Sequence, residues 1–525
     1  MEQANGRPGQ ATAQESPDPS SAALQSIFLP ATIGSPVLES SELRYLHVYY
    51  AYRKSCSQWV VARLTLCHSD ADLMAKLEAV MEEKLSGALG SRPRRVLVFI
   101  NPFGGHGNAE KIYSKKVAPI LRLAGIKADV TVTTKKDHAY EYLSTAENTL
   151  EYDSVVGVGG DGLLSEIVNG LWTRVANEDQ LRLGYEPEKC PFPVVLGVIP
   201  GGSTNTLDYS LNGRSCPINA AINIALGRKL KMDVMGIYQN EKLSKLCFNG
   251  IFYGFLGDLM EKSEKLRFLG PPRYNLSGVQ TFLSDCRKTV KYEYRGGIEE
   301  DASMGKLEPK CQRQCSTCAT GDEEVSANSE EWKTVAGKYI QVSAMCHTLL
   351  SNVTPKGLSP GAHLGDGFLD VICVKNSAKF NVFRFLFMTR FLPEDKFSLP
   401  FVTFLRVKEF RILPGDSGCY NCDGELIPAT DIHCKVFRQM LEVYSHGCDT
   451  EESNIEEAPQ QNLSGTGSWF SRLRATFEKN KGDFLSSNPK SAGGDGSSSS
   501  TGGGRGIDLL LSWRKDIKEF SSIDS

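Results

Sequence analysis

Three glycine-rich turns hold most of the chemistry available to this chain. The run from Val96 to Gly107 leads from an apolar stretch into Asn101-Pro102-Phe103, then Gly104, Gly105 and Gly107. Glycines just past a strand let backbone N–H groups approach anionic oxygens, because no Cβ intervenes. Two more turns of this make follow. Val155 to Gly162 carries Gly159, Gly160 and Gly162, and Leu196 to Asn205 carries Gly201 and Gly202 before Ser203-Thr204-Asn205. One glycine turn needs only a tight bend. Three in succession, each after an apolar strand, read as a single nucleotide-phosphate site.

Asp161 stands between Gly160 and Gly162, exposed by its neighbours at the carboxyl edge of a sheet, where ligands of open α/β sheets bind. A carboxylate beside phosphates can take the proton of an attacking hydroxyl or hold Mg2+; helix N-capping is the competing reading. Glu166, one turn on, suits either nucleotide contact or the helix dipole. Ser203, Thr204 and Asn205 offer two hydroxyls and an amide for phosphate or ribose. Two acidic turns lie far downstream, Asp366-Gly367 and Asp423-Gly424-Glu425. Asp-Gly between strands is first a hairpin signal, but Asp423 and Glu425 together add two carboxylates for ribose or metal. Arg267 and Arg273 can neutralise phosphate charge, with solvated surface as the alternative. Cys311, Cys315 and Cys318 have a spacing that suits Zn2+, given a fourth ligand such as Cys286, Cys346 or His347; redox-sensitive thiols are the equal alternative. Phe380 to Leu392 interleaves bulky apolar residues with Arg384 and Arg390. That suits a calmodulin-type target, bringing in Ca2+, or a membrane-facing helix, although an ordinary buried helix is the expectation.

The elements that must position these residues alternate from Arg94 onward. Strand 96–100, helix 108–124, strand 128–134, helix 137–149, strand 154–158, helix 162–173, strand 194–199 and helix 217–227 follow in order. This predicts a three-layer, parallel-sheet nucleotide-binding domain over 91–231. Strand-like segments at 245–253, 290–294, 332–344, 368–374 and 402–413 predict an antiparallel, β-rich, sandwich-like domain over 232–447. Upstream, 44–52 and 57–66 read as strands, and 70–85 as a helix capped by Asp70 or Asp72, with Leu73, Leu77, Val80, Met81 and Leu85 on one face. Residues 1–40 are read as disordered and 448–525 as a low-complexity tail, in which 507–520 is a transient helix or an anchor.

Composition narrows the partners. Of 525 residues, 59 are basic and 62 acidic, so no bulk field argues for nucleic acid. No secretory signal and no run of about 18 uncharged apolar residues is present. Fifteen cysteines, odd in number, fit reduced thiols, and the expected location is cytoplasmic.

These residues resemble the diacylglycerol/sphingosine kinase superfamily through Asn101 to Gly105, Gly159 to Gly162 and Pro200 to Asn205. Within it they resemble the ceramide kinase family, through Gly254 to Lys265, Arg273 to Gly278, the cysteine spacing, Gly357 to Gly367 and Asn421 to Glu425. The resemblance, covering roughly 94–447, implies ATP-dependent phosphorylation of a ceramide-like primary hydroxyl with Mg2+, by an enzyme peripherally associated with membranes. It implies Asp161 as general base. Asn101, Pro102, Phe103, Gly104, Gly105, Thr133, Glu166, Gly202, Ser203, Thr204, Arg267, Arg273, Asp423, Gly424 and Glu425 would lie at ATP. Gly159, Gly160, Asp161, Gly162 and Asp258 would lie at the lipid's polar head. Sphingosine, diacylglycerol or another lipid alcohol as acceptor, a soluble acceptor as in NAD kinase, and a non-catalytic sensor are the rival readings. Two departures stand out. Residues 41–90 resemble only the latter part of the family's pleckstrin-homology domain, and His106 stands where the glycine loop commonly has lysine.

Overall fold

The computed structural model describes residues 27–32, 44–55, 58–68, 70–88, 92–146, 151–187, 190–266, 269, 272–297, 311, 315–320, 331–392 and 395–447. The readings placed on 1–26, 33–40, 448–525 and Arg267 lie outside these residues. Ile27–Thr32, within the stretch read as disordered, forms a strand against Arg44–Ser55.

The parallel sheet has the spatial order Lys127–Val132, Arg95–Ile100, Ser154–Gly159, Val195–Pro200. The chain therefore starts on an inner strand, moves one place outward, and returns to the other side. That reversal opens a crevice between the ends of Arg95–Ile100 and Ser154–Gly159, the place where such sheets bind ligands. Strand side chains alternate in direction, and Arg95–Ile100 shows why two helical layers are needed. Leu97 and Phe99 enter a core with Ala139, Leu143 and Ile167, on the helices His138–Thr145 and Asp161–Val175. Val96, Val98 and Ile100 enter another with Val117, Leu121 and Ile222. The helix over 109–123 is interrupted by a π turn at Tyr113–Val117, just before Pro119. A proline has no N–H to give the ladder and its ring crowds the preceding turn.

Downstream the strands become antiparallel, and the two halves share one sheet, fifteen-stranded among the described residues. Ile432–Tyr444 joins them. It is parallel to Val195–Pro200 at Val443, and antiparallel to Lys229–Gln239 and Glu409–Pro414. A register shift between Phe437 and Leu441, with Gln439 at φ 54°, bends it at the junction. There the Gln439 N–H donates to buried Asp233 at 2.7 Å.

Two segments read as single strands are broken. Residues 245–253 divide into Lys242–Cys247 and Gly250–Gly254, because Phe248 and Asn249 turn their N–H groups to Asp423. Residues 402–413 divide into Val402–Val407 and Glu409–Pro414. The helix Lys379–Phe391 is buried on one face only. Val382, Phe385 and Met388 point inward, while Phe380, Phe383, Phe387 and Phe391 are exposed. Every third or fourth position being apolar on both faces leaves one face without a partner.

At the amino end, Arg44–Ser55 and Gln58–His68 form a hairpin followed by the helix Ala71–Ala88. Asp70 caps this helix through the N–H groups of Asp72 and Leu73. Trp59 docks the unit onto Pro217–Ala225: its backbone N–H donates to Asn219 Oδ1, and the Arg228 guanidinium lies 4.6 Å over its ring. Among the described residues no helix is long and apolar enough to cross a membrane.

Candidate active site

Parallel pairing puts the three glycine turns at one edge of the sheet, and their lack of side chains lets them touch. A Cβ on Gly202 would fall 2.4 Å from the Gly160 Cα, and one on Gly105 would fall 2.8 Å from the Gly202 carbonyl carbon. Gly105 also has φ +60°, a backbone conformation that other residues enter at a cost. The turns are further tied by Gly201 N–H to Gly159 O at 2.9 Å and Asn101 N–H to Val158 O at 3.0 Å. Within the first turn, Asn101 Oδ1 accepts the Phe103 N–H at 2.9 Å. In the third, the Asn205 amide brackets Gly202, accepting its N–H at 2.8 Å and donating to its carbonyl at 3.2 Å. Asn205 therefore shapes the turn. Thr133 lies beside the first turn, where its N–H and hydroxyl both donate to Ile100 O.

Asp161 opens the helix Asp161–Val175 and is 8% exposed. Its carboxylate accepts Thr204 Oγ1 and the Thr206 N–H on Oδ2 and the Leu207 N–H on Oδ1, each at 3.1 Å. These donors belong to the third turn and the first residues of Thr206–Asn212, so the side chain locks the second turn onto the third. A carboxylate has about four lone-pair sites. The three donors leave one, on Oδ1.

Asp208, which no spacing in the sequence singles out, lies behind Asp161. Burial pushes its carboxyl up to about 8, the negative charge of Asp161 adds to this, and Asn212 Nδ2 donates to it at 2.8 Å. The helix bearing it reaches the β-rich half, where Ser210 Oγ accepts the Leu350 N–H at 3.1 Å and Tyr209 bonds Asn352.

The second acidic turn faces this edge. Glu166 accepts the Ala139 N–H at 3.2 Å; burial raises its pKa, and the charge of Glu425 acts in the same direction. Glu425 pairs with Lys245 and lies 4.0 Å from Lys136. Lys245 is a second residue that no motif singles out. Asp423 behaves differently: it is 2% exposed, and its carboxylate accepts the N–H groups of Phe248 (3.0 Å), Asn249 (2.9 Å) and Gly250 (3.4 Å) and the Cys247 thiol (3.1 Å). Its oxygens face its own half of the molecule.

Asp258 and Arg273 gather elsewhere, on the paired helices Phe255–Lys265 and Arg273–Leu283. Asp258 pairs with Lys288 at 3.2 Å, and Arg273 with Glu264 at 3.6 Å and the Tyr274 hydroxyl at 2.8 Å. Asp366 is buried against Arg406. Cys286, Cys346 and His347 do not join the cysteine cluster; His347 instead bonds Asn249 at 3.0 Å, and His363 takes the fourth place.

Residues 95–237 match the diacylglycerol kinase catalytic domain, and residues 251–420 the ceramide kinase C-terminal domain. Ceramide kinase of Homo sapiens is 31% identical over 462 residues, which span 78% of this chain and 84% of that one. Ceramide kinase 1 of Caenorhabditis elegans is 26% identical, over 78% of this chain and 76% of that one. The crystal structure of a diacylglycerol kinase from Bacillus anthracis str. Sterne superposes with a TM-score of 0.47 at 19% identity, over 67% of this chain and 97% of that chain. With both domain matches in order and the human relative aligned along most of its length, the chain belongs to the ceramide kinase family of lipid kinases.

Proposed function

We propose that this chain transfers the γ-phosphoryl group of ATP to the primary hydroxyl of a ceramide-like lipid. The observation that carries the reading is the contact of three glycine turns around one carboxylate with an open lone pair. Within the turns Asn101 to Gly105 and Gly202 to Thr204, the backbone N–H groups of Gly104, Gly105, Ser203 and Thr204 cradle the phosphates, where fixed dipoles stabilise charge without reorganising. The lipid hydroxyl oxygen attacks the γ-phosphorus, the bond to the β–γ bridging oxygen breaks to release ADP, and the hydroxyl proton passes to Asp161 Oδ1. Gly162, where a Cβ would meet nothing within 4 Å, leaves room for the hydroxyl, and Gly159 and Gly160 let the second turn pack against Leu163 and Gly202 beside it. Glu166, Gly424 and Glu425 border the nucleotide, with Lys136 and Lys245 balancing their charge. Asp423 acts through the backbone it holds. Arg273 and Asp258 belong to the lipid-side helices, and Arg267 to the same stretch of sequence.

A hard cation such as Mg2+ takes one or two carboxylates plus phosphate oxygens and keeps several waters. Glu166 would offer such a carboxylate, leaving Asp161 Oδ1 for the proton, and the ion would neutralise the charge of the transferring group. The exposed face of Lys379–Phe391 adjoins Leu276, Val279 and Leu283 of Arg273–Leu283: Lys379 Nζ donates to Leu283 O at 2.8 Å, and Phe282 meets Phe383 at 6.5 Å. With exposed Lys379, Arg384 and Arg390 beside it, this apolar face rests on the membrane that supplies the lipid. A Ca2+–calmodulin complex is the alternative occupant. The hairpin and helix over 44–88 are the latter part of a pleckstrin-homology-like module, serving as a brace on Pro217–Ala225.

Labelled ATP with ceramide, sphingosine and diacylglycerol in mixed vesicles tests the reading. Ceramide should be the preferred acceptor, with turnover lost in Asp161→Asn. Preference for another alcohol would reassign the substrate, and absence of ATP consumption with every lipid would replace catalysis with sensing.

A further inference from the structure

One cluster of strong ligand groups takes no part in this chemistry. Cys311, Cys315, Cys318 and His363 bring four donor atoms within 4.8 Å of one another. Cys311 Sγ lies 3.5 Å from Cys318 Sγ, and Cys315 Sγ lies 3.2 Å from His363 Nδ1. All three cysteines are free thiols, and Cys311 is buried. Local structure explains the spacing. The short helix Ser316–Thr320 starts just after Cys315, so Cys315 and Cys318 stand one turn apart on one face. Cys311 enters from the chain before it. His363 arrives from a turn 48 residues beyond Cys315.

The surroundings hold the cluster from outside. The Leu364 N–H points at Cys311 Sγ from 3.4 Å, an outer hydrogen bond of the kind that supports a metal-bound thiolate. The Cys318 carbonyl accepts Arg438 Nη2 and Gln439 Nε2, both at 2.8 Å, and Gln439 Nε2 also donates to Gly365 O at 3.0 Å. Three distant pieces of chain meet here: Cys311 with 315–320, 363–367, and the bend at 438–439 where the parallel and antiparallel halves join.

The separations discriminate among uses. A disulfide needs sulfurs about 2.05 Å apart and would consume two of the three thiols, leaving a cysteine and a histidine without a role. A tetrahedral zinc with Zn–S near ~2.3 Å and Zn–N near ~2.0–2.1 Å places its donors ~3.5–3.8 Å apart. The Cys311–Cys318 pair at 3.5 Å reaches that span, the Cys315–His363 pair at 3.2 Å falls just short of it, and with all four donors within 4.8 Å of one another side-chain rotation brings the set to it. Thiolate and imidazole donors favour zinc over magnesium or calcium, and four protein ligands leave no open position for catalysis.

We propose that Cys311, Cys315, Cys318 and Nδ1 of His363 bind one Zn2+ that fastens Cys311, the helix Ser316–Thr320 and turn 363–367 to the bend at Gln439. The three thiols lose three protons on binding, and the resulting site, with one net negative charge, lies beside the Arg438 guanidinium. The ion is structural: it sets the junction on which the glycine turns and the Asp423 turn face each other.

Elemental analysis of the purified full chain, after passage over a weak chelator, should find one zinc per molecule. Cobalt substitution should give thiolate-to-metal charge transfer and the visible bands of a tetrahedral centre. His363→Ala should weaken zinc by more than the 10–100-fold that loss of an outer-shell partner costs, read by competition with a chromophoric chelator. His363→Cys should keep one zinc with a shifted cobalt spectrum. This pair decides the matter even if Cys315→Ser fails to fold, since both variants keep every thiol. Less than a tenth of a zinc per folded chain, an unchanged affinity in His363→Ala, or a Cys311–Cys318 disulfide in the native protein would each overturn the proposal. None of these readouts depends on kinase activity, so a different lipid acceptor leaves the result unaffected.

Discussion

Asp161 and Asp423 present the same dipeptide, Asp-Gly, and both end with a carboxylate ringed by backbone donors from another segment. The difference lies in what is left over. Asp161 receives three donors, keeps one acceptor position, and stands where two other glycine turns converge. Asp423 receives four, is nearly sealed, and replaces strand pairing at the break between Cys247 and Gly250. One carboxylate is held so that it can act on something else. The other is consumed in holding the chain, so a motif's chemistry depends on the number of donors that reach it.

Replacing each aspartate by asparagine is the strongest way to break that contrast. Asp161→Asn removes the acceptor proposed for the lipid proton, and loss of a general base costs about 10²–10⁴-fold in turnover. The amide also turns an NH2 toward Thr206 or Leu207, leaving one backbone donor unsatisfied at about 1–3 kcal/mol, so kcat should be measured per folded molecule. Asp423→Asn should lower the unfolding midpoint by a comparable energy while kcat per folded molecule stays near wild type. Equal kinetic losses in both variants would erase the distinction.

The glycines sharpen it. Gly105 and Gly424 both have positive φ, +60° and +83°, so alanine at either is strained by about 1–2 kcal/mol. Around Gly424 a Cβ meets nothing within 4 Å, whereas at Gly105 it meets the backbone of Gly201 and Gly202 at 2.8–2.9 Å. Gly105→Ala should therefore part the first turn from the third and raise the KM for ATP about tenfold or more, each tenfold step being about 1.4 kcal/mol of lost binding. Gly424→Ala, at the border of the nucleotide but with open space for the methyl, should cost chiefly stability and change the KM for ATP far less. Matching KM values in the two variants would show that the turns do not form one phosphate site.

Much of this was legible because period and glycine placement are local signals. Strand, turn and helix order from 95 to 225 could be read directly, and three similar turns on one sheet have to meet at one edge. What stayed hidden depended on contacts across the chain. Nothing near Asp208 or Lys245 marks them, since burial beside Asp161 and pairing with Glu425 arise only on folding. The run 245–253 reads as one strand because Asp423, which breaks it, lies more than 170 residues away. Sequence distance favours Cys346 and His347 over His363 as the fourth ligand, because only the fold sets His363 against Cys315. The exposed phenylalanines of Lys379–Phe391 look like core in composition, and only their facing shows otherwise.

Proton linkage offers the finest comparison. Burial pushes the Asp423 carboxyl up to about 6 from an ordinary value of 3.8, with Lys245 opposing the rise. A folded carboxyl with a raised pKa keeps its proton where the unfolded chain has released it. Its contribution to stability is therefore complete below about pH 4 and is lost as pH climbs through about 6. A shift of about two units corresponds to roughly 3 kcal/mol. Asparagine cannot titrate, so the stability gap between wild type and Asp423→Asn should be widest near pH 4 and narrow by pH 7, in denaturant melts at both. Asp208 and Asp233, each pushed up to about 8 by burial, also titrate over this range, but they are present in both proteins and cancel in the difference. Lys245→Met removes the charge that restrains Asp423, so the window should extend above pH 6. A gap that stays constant with pH would mean that Asp423 is ionised throughout, held by its donors more than it is penalised by burial.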